Sequence, residues 1–356
     1  MKAALAILIL LLAVPGVQAA QSPREVAAYE AAFAAMLDGN WQKALDQADD
    51  AGQLARDIIE WHRLRAGLGD MDDARVFLDR RADWPGLQLL RRRNERHLPF
   101  GTRADAIIDF FGDAAPQTGH GAVALIGAYR KNGMADEART AAIDAWLTHR
   151  FSPVDEALLL SLYEDALKPH HEARLDMLLW RDAETDARRM FARVPDGWKK
   201  LAEARIALRD NRTSGIDVLV NAVPKALADH PGLMFERMQW RARKGRNEGA
   251  IEIFLDQAPD ALGQPQRWAG WRRSLARSEM RAGRTETAYR LASENGLDSG
   301  SAFADLEWLA GYIALTYQED GEKALGHFLR FRGAVETPIS LGRAGYWEGR
   351  AHELIG

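Results

Sequence analysis

The chain has 356 residues, with 47 basic against 51 acidic side chains and a formal net charge of −4. That near-balance excludes electrostatic capture of nucleic acid or an anionic membrane as the default function, and a content of 47% hydrophobic and 28% charged residues excludes global disorder. With no cysteine at all, disulfide frameworks, thiolate zinc sites, iron–sulfur clusters and cysteine nucleophiles are excluded too.

Residues 1–19 read as a secretory signal peptide. Lys2 precedes an unbroken apolar stretch from Ala3 to Val14, Pro15 and Gly16 break it, and Val17-Gln18-Ala19 supplies the small residues of a cleavage site after Ala19 or Ala20. About a dozen apolar residues are too few to span a bilayer, which takes roughly 20. The sharp change to polar sequence at Ala-Ala-Gln-Ser-Pro speaks against a buried N-terminal helix. No cysteine follows, so no lipid anchor is expected, and no later segment is long and uncharged enough to span. The expected location is the periplasm, which implies a Gram-negative source.

From Ser22 the apolar positions recur at intervals of three and four, as in Leu54, Ile58, Ile59, Trp61, His62 and Leu64, and in Leu159, Leu160, Leu162, Tyr163 and Leu167. Prolines stand mostly at breaks: Pro85, Pro153, Pro195, Pro231 and Pro338. The breaks share a pattern, glycine followed five positions later by alanine: Gly39 to Ala44, Gly69 to Ala74, Gly133 to Ala138, Gly245 to Ala250 and Gly283 to Ala288. A glycine there can close one helix in the left-handed conformation, and an alanine one turn into the next allows close backbone approach. Such hairpins cannot bury their apolar faces singly, so the expected fold is all-α, a tetratricopeptide-like α-solenoid of helical hairpins.

The motifs of common chemistry are missing. There is no glycine-rich phosphate loop, no His-Glu-x-x-His zinc helix and no Gly-x-Ser-x-Gly elbow. His170, His171 and Glu172 are adjacent, but neighbours on a helix point about 100° apart, so a solvated helix start is expected there rather than a metal site. The run Arg91-Arg92-Arg93, with Arg96 and His97, could hold a polyanion; it reads instead as a solvated face balanced by Glu95. Tryptophan is abundant, with 11 residues. Trp61, Trp84, Trp180, Trp240, Trp268, Trp271, Trp308 and Trp347 could form a wall for stacking sugars, but packing between hairpins is the expected role. No catalytic, cofactor-binding or metal-binding residue is assigned, and no cofactor is expected.

Asp57-Ile-Ile-Glu-Trp-His-Arg-Leu-Arg65, followed by Asp83-Trp-Pro-Gly-Leu87, resembles the helical region of soluble lytic murein transglycosylases. The resemblance continues in family order through Arg174-Leu-Asp-Met-Leu-Leu-Trp180, Ala202-Glu-Ala-Arg-Ile-Ala-Leu208 and Ala304-Asp-Leu-Glu-Trp-Leu-Ala-Gly311. It ends on Thr337-Pro-Ile-Ser-Leu-Gly-Arg-Ala-Gly-Tyr-Trp-Glu-Gly-Arg-Ala351, the most specific segment. The resemblance implies that residues 20–356 form an α-superhelical, U-shaped domain. In the family a linker and a lysozyme-like catalytic domain follow, and the enzyme cleaves the β-1,4 bond between N-acetylmuramic acid and N-acetylglucosamine to leave a 1,6-anhydro end. That reaction needs one carboxyl group acting first as acid and then as base. The family's Glu-Ser and Gly-Leu-Met-Gln motifs are not found: Gly232-Leu-Met234 is followed by Phe235, and no Glu-Ser lies suitably upstream.

The resemblance therefore implies a chain that retains the superhelix, stops before linker and catalytic domain, and is inactive alone. Leu354-Ile355-Gly356 reads as the end of a first helix and its turn, with no polar cap. The partners implied are peptidoglycan glycan strands, with cell-wall synthases or divisome proteins as further ones, and neither nucleic acid nor a membrane anchor. The alternative is a free-standing tetratricopeptide-like periplasmic scaffold that binds a protein or peptide in its groove.

Overall fold

The three- and four-residue periodicity becomes an unbroken succession of helices in a computed structural model that describes residues 22–356, with no strand among the described residues. The expected signal peptide, 1–19, lies outside them. The chain divides into two compact units: the first comprises the described residues up to Ala145 together with Phe151–Tyr163, and the second comprises Trp146–Arg150 and Glu164–Gly356.

In chain order the first seven helices are α1 (Pro23–Leu37), α2 (Trp41–Asp50), α3 (Gln53–Arg65), α4 (Met71–Arg80), α5 (Leu87–Asn94), α6 (Ala104–Phe111) and α7 (Gly119–Lys131). Next come α8 (Ala135–Thr148) and α9 (Pro153–Leu167), in which Tyr163 leaves helical geometry at φ −136° and ψ 22°. The second unit continues with α10 (His171–Trp180), α11 (Glu184–Arg189), α12 (Asp196–Arg209), α13 (Ile216–Asn221), α14 (Pro231–Arg243) and α15 (Asn247–Asp256). It closes with α16 (Pro265–Arg281), α17 (Thr285–Ser293), α18 (Gly300–Tyr317), α19 (Gly321–Gly333) and α20 (Pro338–Ile355). Pro153, Pro231 and Pro338 each open a helix at its first position, where a missing N–H costs nothing.

Within each unit a helix packs on the next one or two along the chain. In the second unit α10 lies on α12, α12 on α14, α16 on α18 and α18 on α20, so first helices of successive hairpins stack on one another, and among the second helices α15 lies on α17. This is the expected all-α solenoid pattern.

The turns show how the sequence specifies it. Gly39, Gly133, Gly245 and Gly283 all have φ between 71° and 79°. In each case the next residue donates its N–H five residues back, Asn40 to Ala35, Met134 to Tyr129, Arg246 to Arg241 and Arg284 to Glu279, at 2.9–3.0 Å. That bond satisfies a carbonyl the helix end would leave free. The paired alanines, Ala44, Ala138, Ala250 and Ala288, are at most 1% exposed. The fifth instance needs correction. Gly67, not Gly69, is left-handed in the α3–α4 turn, and Leu68 makes the bond to Arg63.

Three further hairpins turn on a left-handed residue other than glycine: after Asp182 and Asn211 the five-residue bond recurs, Ala183 to Leu178 and Arg212 to Ala207, whereas after Glu319 the Asp320 N–H reaches six residues back to Ala314. Asp182, Asn211 and Glu319 have φ of 57°, 57° and 52° and close α10, α12 and α18. The residues five further on, Ala187, Ile216 and Ala324, are again buried.

The buried face of α3 also differs from the predicted stripe. Leu54 is exposed, whereas Ala55, Asp57, Ile59, Glu60 and Leu64 face inward. Asp57 is tolerated there because its carboxylate accepts from Gln53 Nε2 (2.8 Å), Arg80 Nε (3.0 Å) and Arg81 Nε (2.6 Å), tying α4 and its end to α3. Burial pushes this carboxyl up, and the hydrogen bonds and the two guanidiniums more than reverse that, leaving it below its usual range. In the second unit the core runs through a chain of rings, Trp180 to Phe235 (5.4 Å), Phe235 to Trp268 (5.3 Å) and Trp268 to Phe254 (5.4 Å).

Candidate functional site

Helical spacing places Trp308, Tyr312 and Thr316 on one stripe of α18, and Arg343, Trp347 and Arg350 on one stripe of α20. The start of α20 is capped by a side chain, whereas that of α18 is not. The extended Ser299 precedes α18, and the Thr337 hydroxyl accepts from Ser340 N at 3.3 Å ahead of Pro338 in α20. Between them lies a group of rings. Trp308 stacks on Tyr312 at 5.4 Å, Trp347 stands edge-on to both at 5.9 and 5.3 Å, and Tyr346 is edge-on to Trp347 at 5.2 Å. Trp347 also stacks on the buried Phe328 of α19 at 5.9 Å, and the Arg343 guanidinium lies over Trp308 at 3.7 Å.

Of these side chains, Tyr312, Tyr346 and Trp347 line an open cleft of about 760 Å³, with Leu315, Thr316, Glu319, Arg350, Glu353 and Leu354 on its walls. Tyr346 is 61% exposed although it belongs to the ring group. The only charge pair on the wall of α20 is internal, Arg350 Nη1 donating to Glu353 Oε2 at 2.8 Å. Chemically the cleft offers ring faces beside hydroxyl, guanidinium and carboxylate groups, which suits a ligand with apolar faces and hydroxyl edges.

No protein-family model matches this chain, and no curated protein matches it. Its function must therefore be argued from its own residues.

A second titratable group lies under α19. His327 Nδ1 is 2.7 Å from Glu307 Oε2, its Nε2 is 2.9 Å from the Tyr289 hydroxyl, and Arg330 Nε donates to Glu307 Oε2 at 2.7 Å. Burial pushes the Glu307 carboxyl up, and the bonds to His327 and Arg330 pull it below its ordinary value. Glu307 and His327 are 3% and 4% exposed. The set thus has acid–base composition but joins α17, α18 and α19 from within the core. A third feature, a cleft of about 630 Å³ at the α14–α15 and α16–α17 turns, sets Arg241, Arg246 and Arg284 against Glu248, Glu252 and Glu279. Arg284 is held there by Glu279, and Arg241 donates to Gly249 O at 2.6 Å.

The residues weighed from sequence are placed as follows. His171 is not solvated: it is 4% exposed, its ring lies 5.6 Å from Trp146, and burial pushes its pKa down. Among the described residues no group of three or more His, Cys, Asp or Glu side chains is arranged to hold a metal ion. Arg92 and Arg93 are exposed, but Glu95 does not balance them from the surface. It is fully buried, and its carboxylate accepts from Gln117 N (2.8 Å) and Thr118 N (2.7 Å) at the start of α7. Arg96 and His97 both reach Gly67 O, the histidine at 3.1 Å.

Gly232-Leu-Met234 lies in the buried first turns of α14. Packing accounts for most of the tryptophans. Trp180 and Trp268 are core residues, Trp61 Nε1 donates to Pro85 O at 3.0 Å, and Trp240 Nε1 donates to Arg212 O at 2.9 Å. Trp308 and Trp347 also pack, against Ala314, Ala324, Phe328 and Ala351, while belonging to the ring group at the cleft. The members of that group on α18 and those on α20 are more than thirty residues apart, so only the helical spacing within each helix was available to signal it. No helix among the described residues is long and apolar enough to cross a membrane.

Proposed function

We propose that this chain is the superhelical domain of a periplasmic lytic murein transglycosylase. Its role is to position peptidoglycan glycan strands for non-hydrolytic cleavage of the bond between N-acetylmuramic acid and N-acetylglucosamine by a lysozyme-like catalytic domain. The observation that carries this reading is the register between resemblance and architecture. Five of the six resembling segments, those that begin at Asp57, Arg174, Ala202, Ala304 and Thr337, fall on α3, α10, α12, α18 and α20, and the sixth, Asp83 to Leu87, lies in the connection into α5. Of these, α3, α10, α12 and α18 are first helices of hairpins, and α20 lies where the next first helix belongs. The placement of these segments on helices fits the long helical domain that the resemblance implies.

The domain supplies a surface and not the acid–base step. Among the buried carboxylates, Asp57, Glu95, Glu236 and Glu307 are each engaged in hydrogen bonds to neighbouring elements. The test uses the secreted chain with purified sacculi. It should co-sediment with them yet release no 1,6-anhydromuropeptides by mass analysis, and a version extended by a family catalytic domain should release them. Release by the chain alone, or no retention by sacculi, overturns the reading.

A further inference from the structure

We infer that the α18–α20 cleft is a subsite for a β-1,4-linked N-acetylhexosamine chain, with the Tyr346 ring as its stacking face. The inference rests on the glycan-strand reading above and assigns that binding to named side chains.

Tyr346 is the first reason. A tyrosine that belongs to a ring group would gain by burial, at about 25 cal/mol for each Å² removed from water, yet this one is 61% exposed. Its neighbour Trp347 holds it edge-on at 5.2 Å, and Trp347 is itself anchored on Phe328 and against Tyr312. The exposed ring is thus attached to a packed base instead of hanging on a mobile stem, which lowers the ordering cost of binding. Ring faces carry negative potential, and the flat faces of β-linked pyranoses present a patch of axial C–H bonds with the opposite polarity.

The cleft wall supplies the second reason. The hydroxyls and acetamido groups at a sugar's edge both donate and accept, and Thr316, Arg350, Glu319 and Glu353 offer both functions within one cleft. Arg350, paired with Glu353, is the one cation among the lining residues and faces two carboxylates, Glu319 and Glu353, so the wall disfavours an acidic ligand. This matches an uncharged, hydroxyl-rich chain better than a charged peptide. The left-handed Glu319 sets the third reason: by ending α18 there, the turn into α19 brings a carboxylate to the same cleft mouth.

The experiment measures retention by purified sacculi and binding of chitotetraose for the native chain, Tyr346→Ala and Tyr346→Phe. Loss of the ring should weaken both by about tenfold, a stacking contact's worth, while Tyr346→Phe should stay within about twofold of native. Because Tyr346 is mostly exposed, both variants should melt as the native chain does. If Tyr346→Ala binds sacculi as tightly as native, the subsite is wrong and the glycan-strand reading survives. Should the native chain bind neither sacculi nor chitotetraose, both fall. If sacculus binding depends on Tyr346 but is displaced by free stem peptide and not by chitotetraose, the cleft reads peptide and the inference is overturned.

Discussion

Replacing Gly232 by alanine tests whether a buried arginine dictates the sequence of the helix beside it. Gly232 lies in the first turn of α14, and a Cβ there would sit 2.2 Å from Arg205 Cζ and 2.4 and 2.5 Å from its two Nη atoms. Ordinary contact begins near 3.4 Å, so α14 or the guanidinium must yield by about 1.2 Å. Arg205 has little freedom. It is fully buried, Nη1 donates to Asp176 Oδ1 at 2.5 Å, and its Cζ lies 5.1 Å over the Trp180 ring.

Overpacking of this kind costs about 1–3 kcal/mol, and forcing Arg205 off Asp176 adds the cost of a disturbed buried ion pair. Better helix propensity returns at most ~1 kcal/mol to alanine. The net expectation is a loss of about 2 kcal/mol, read as a lower urea midpoint for the transition of the second unit. Arg205→Met removes the obstructing group and leaves Asp176, which is 27% exposed, in contact with water. In that background Gly232→Ala should cost less than about 0.5 kcal/mol, a coupling of more than ~1 kcal/mol in a double-mutant cycle. A single-variant loss under about 0.5 kcal/mol, or an equal loss in both backgrounds, would falsify the account.

Three other expectations follow from the turns and the buried charges. Gly245→Ala, at a left-handed position with open space around it, should destabilise by about 1–2 kcal/mol through backbone strain alone, and Asn211→Gly should be neutral or gain up to ~1 kcal/mol in the same urea titration. Asp57→Asn removes the buried carboxylate that Arg80 and Arg81 share, but both guanidiniums reach water and Arg80 keeps Glu60, so the cost should be about 1–2 kcal/mol, accompanied by local amide-exchange loss in α3 and α4. The Glu307 carboxyl titrates below its usual value when folded, so its contribution is present above the unfolded value near 4.5 and is lost as pH falls through the folded one. Melting temperature between pH 6 and pH 3 should therefore fall less steeply in Glu307→Gln than in the native chain; equal slopes would assign the acid sensitivity elsewhere.

What the sequence determined by itself was local. The apolar spacing, the prolines at helix starts and the glycines at 39, 133, 245 and 283 each act within one or two turns of backbone, so they could be read without knowing what the helices touch. The alanines five residues on were legible for the same reason, since one turn fixes which face meets the partner helix. Tertiary structure decided what these signals do not encode. Asp182, Asn211 and Glu319 take the left-handed conformation at positions where no glycine announces it. Asp57, Glu95, His171 and Arg205 are buried because neighbouring helices bring partners or rings to them. The ring group of Trp308, Tyr312, Tyr346 and Trp347 exists only when α18 and α20 lie side by side. Desolvation and ring contact are properties of which surfaces meet, and that information is spread over the whole array of helices rather than carried in any one segment.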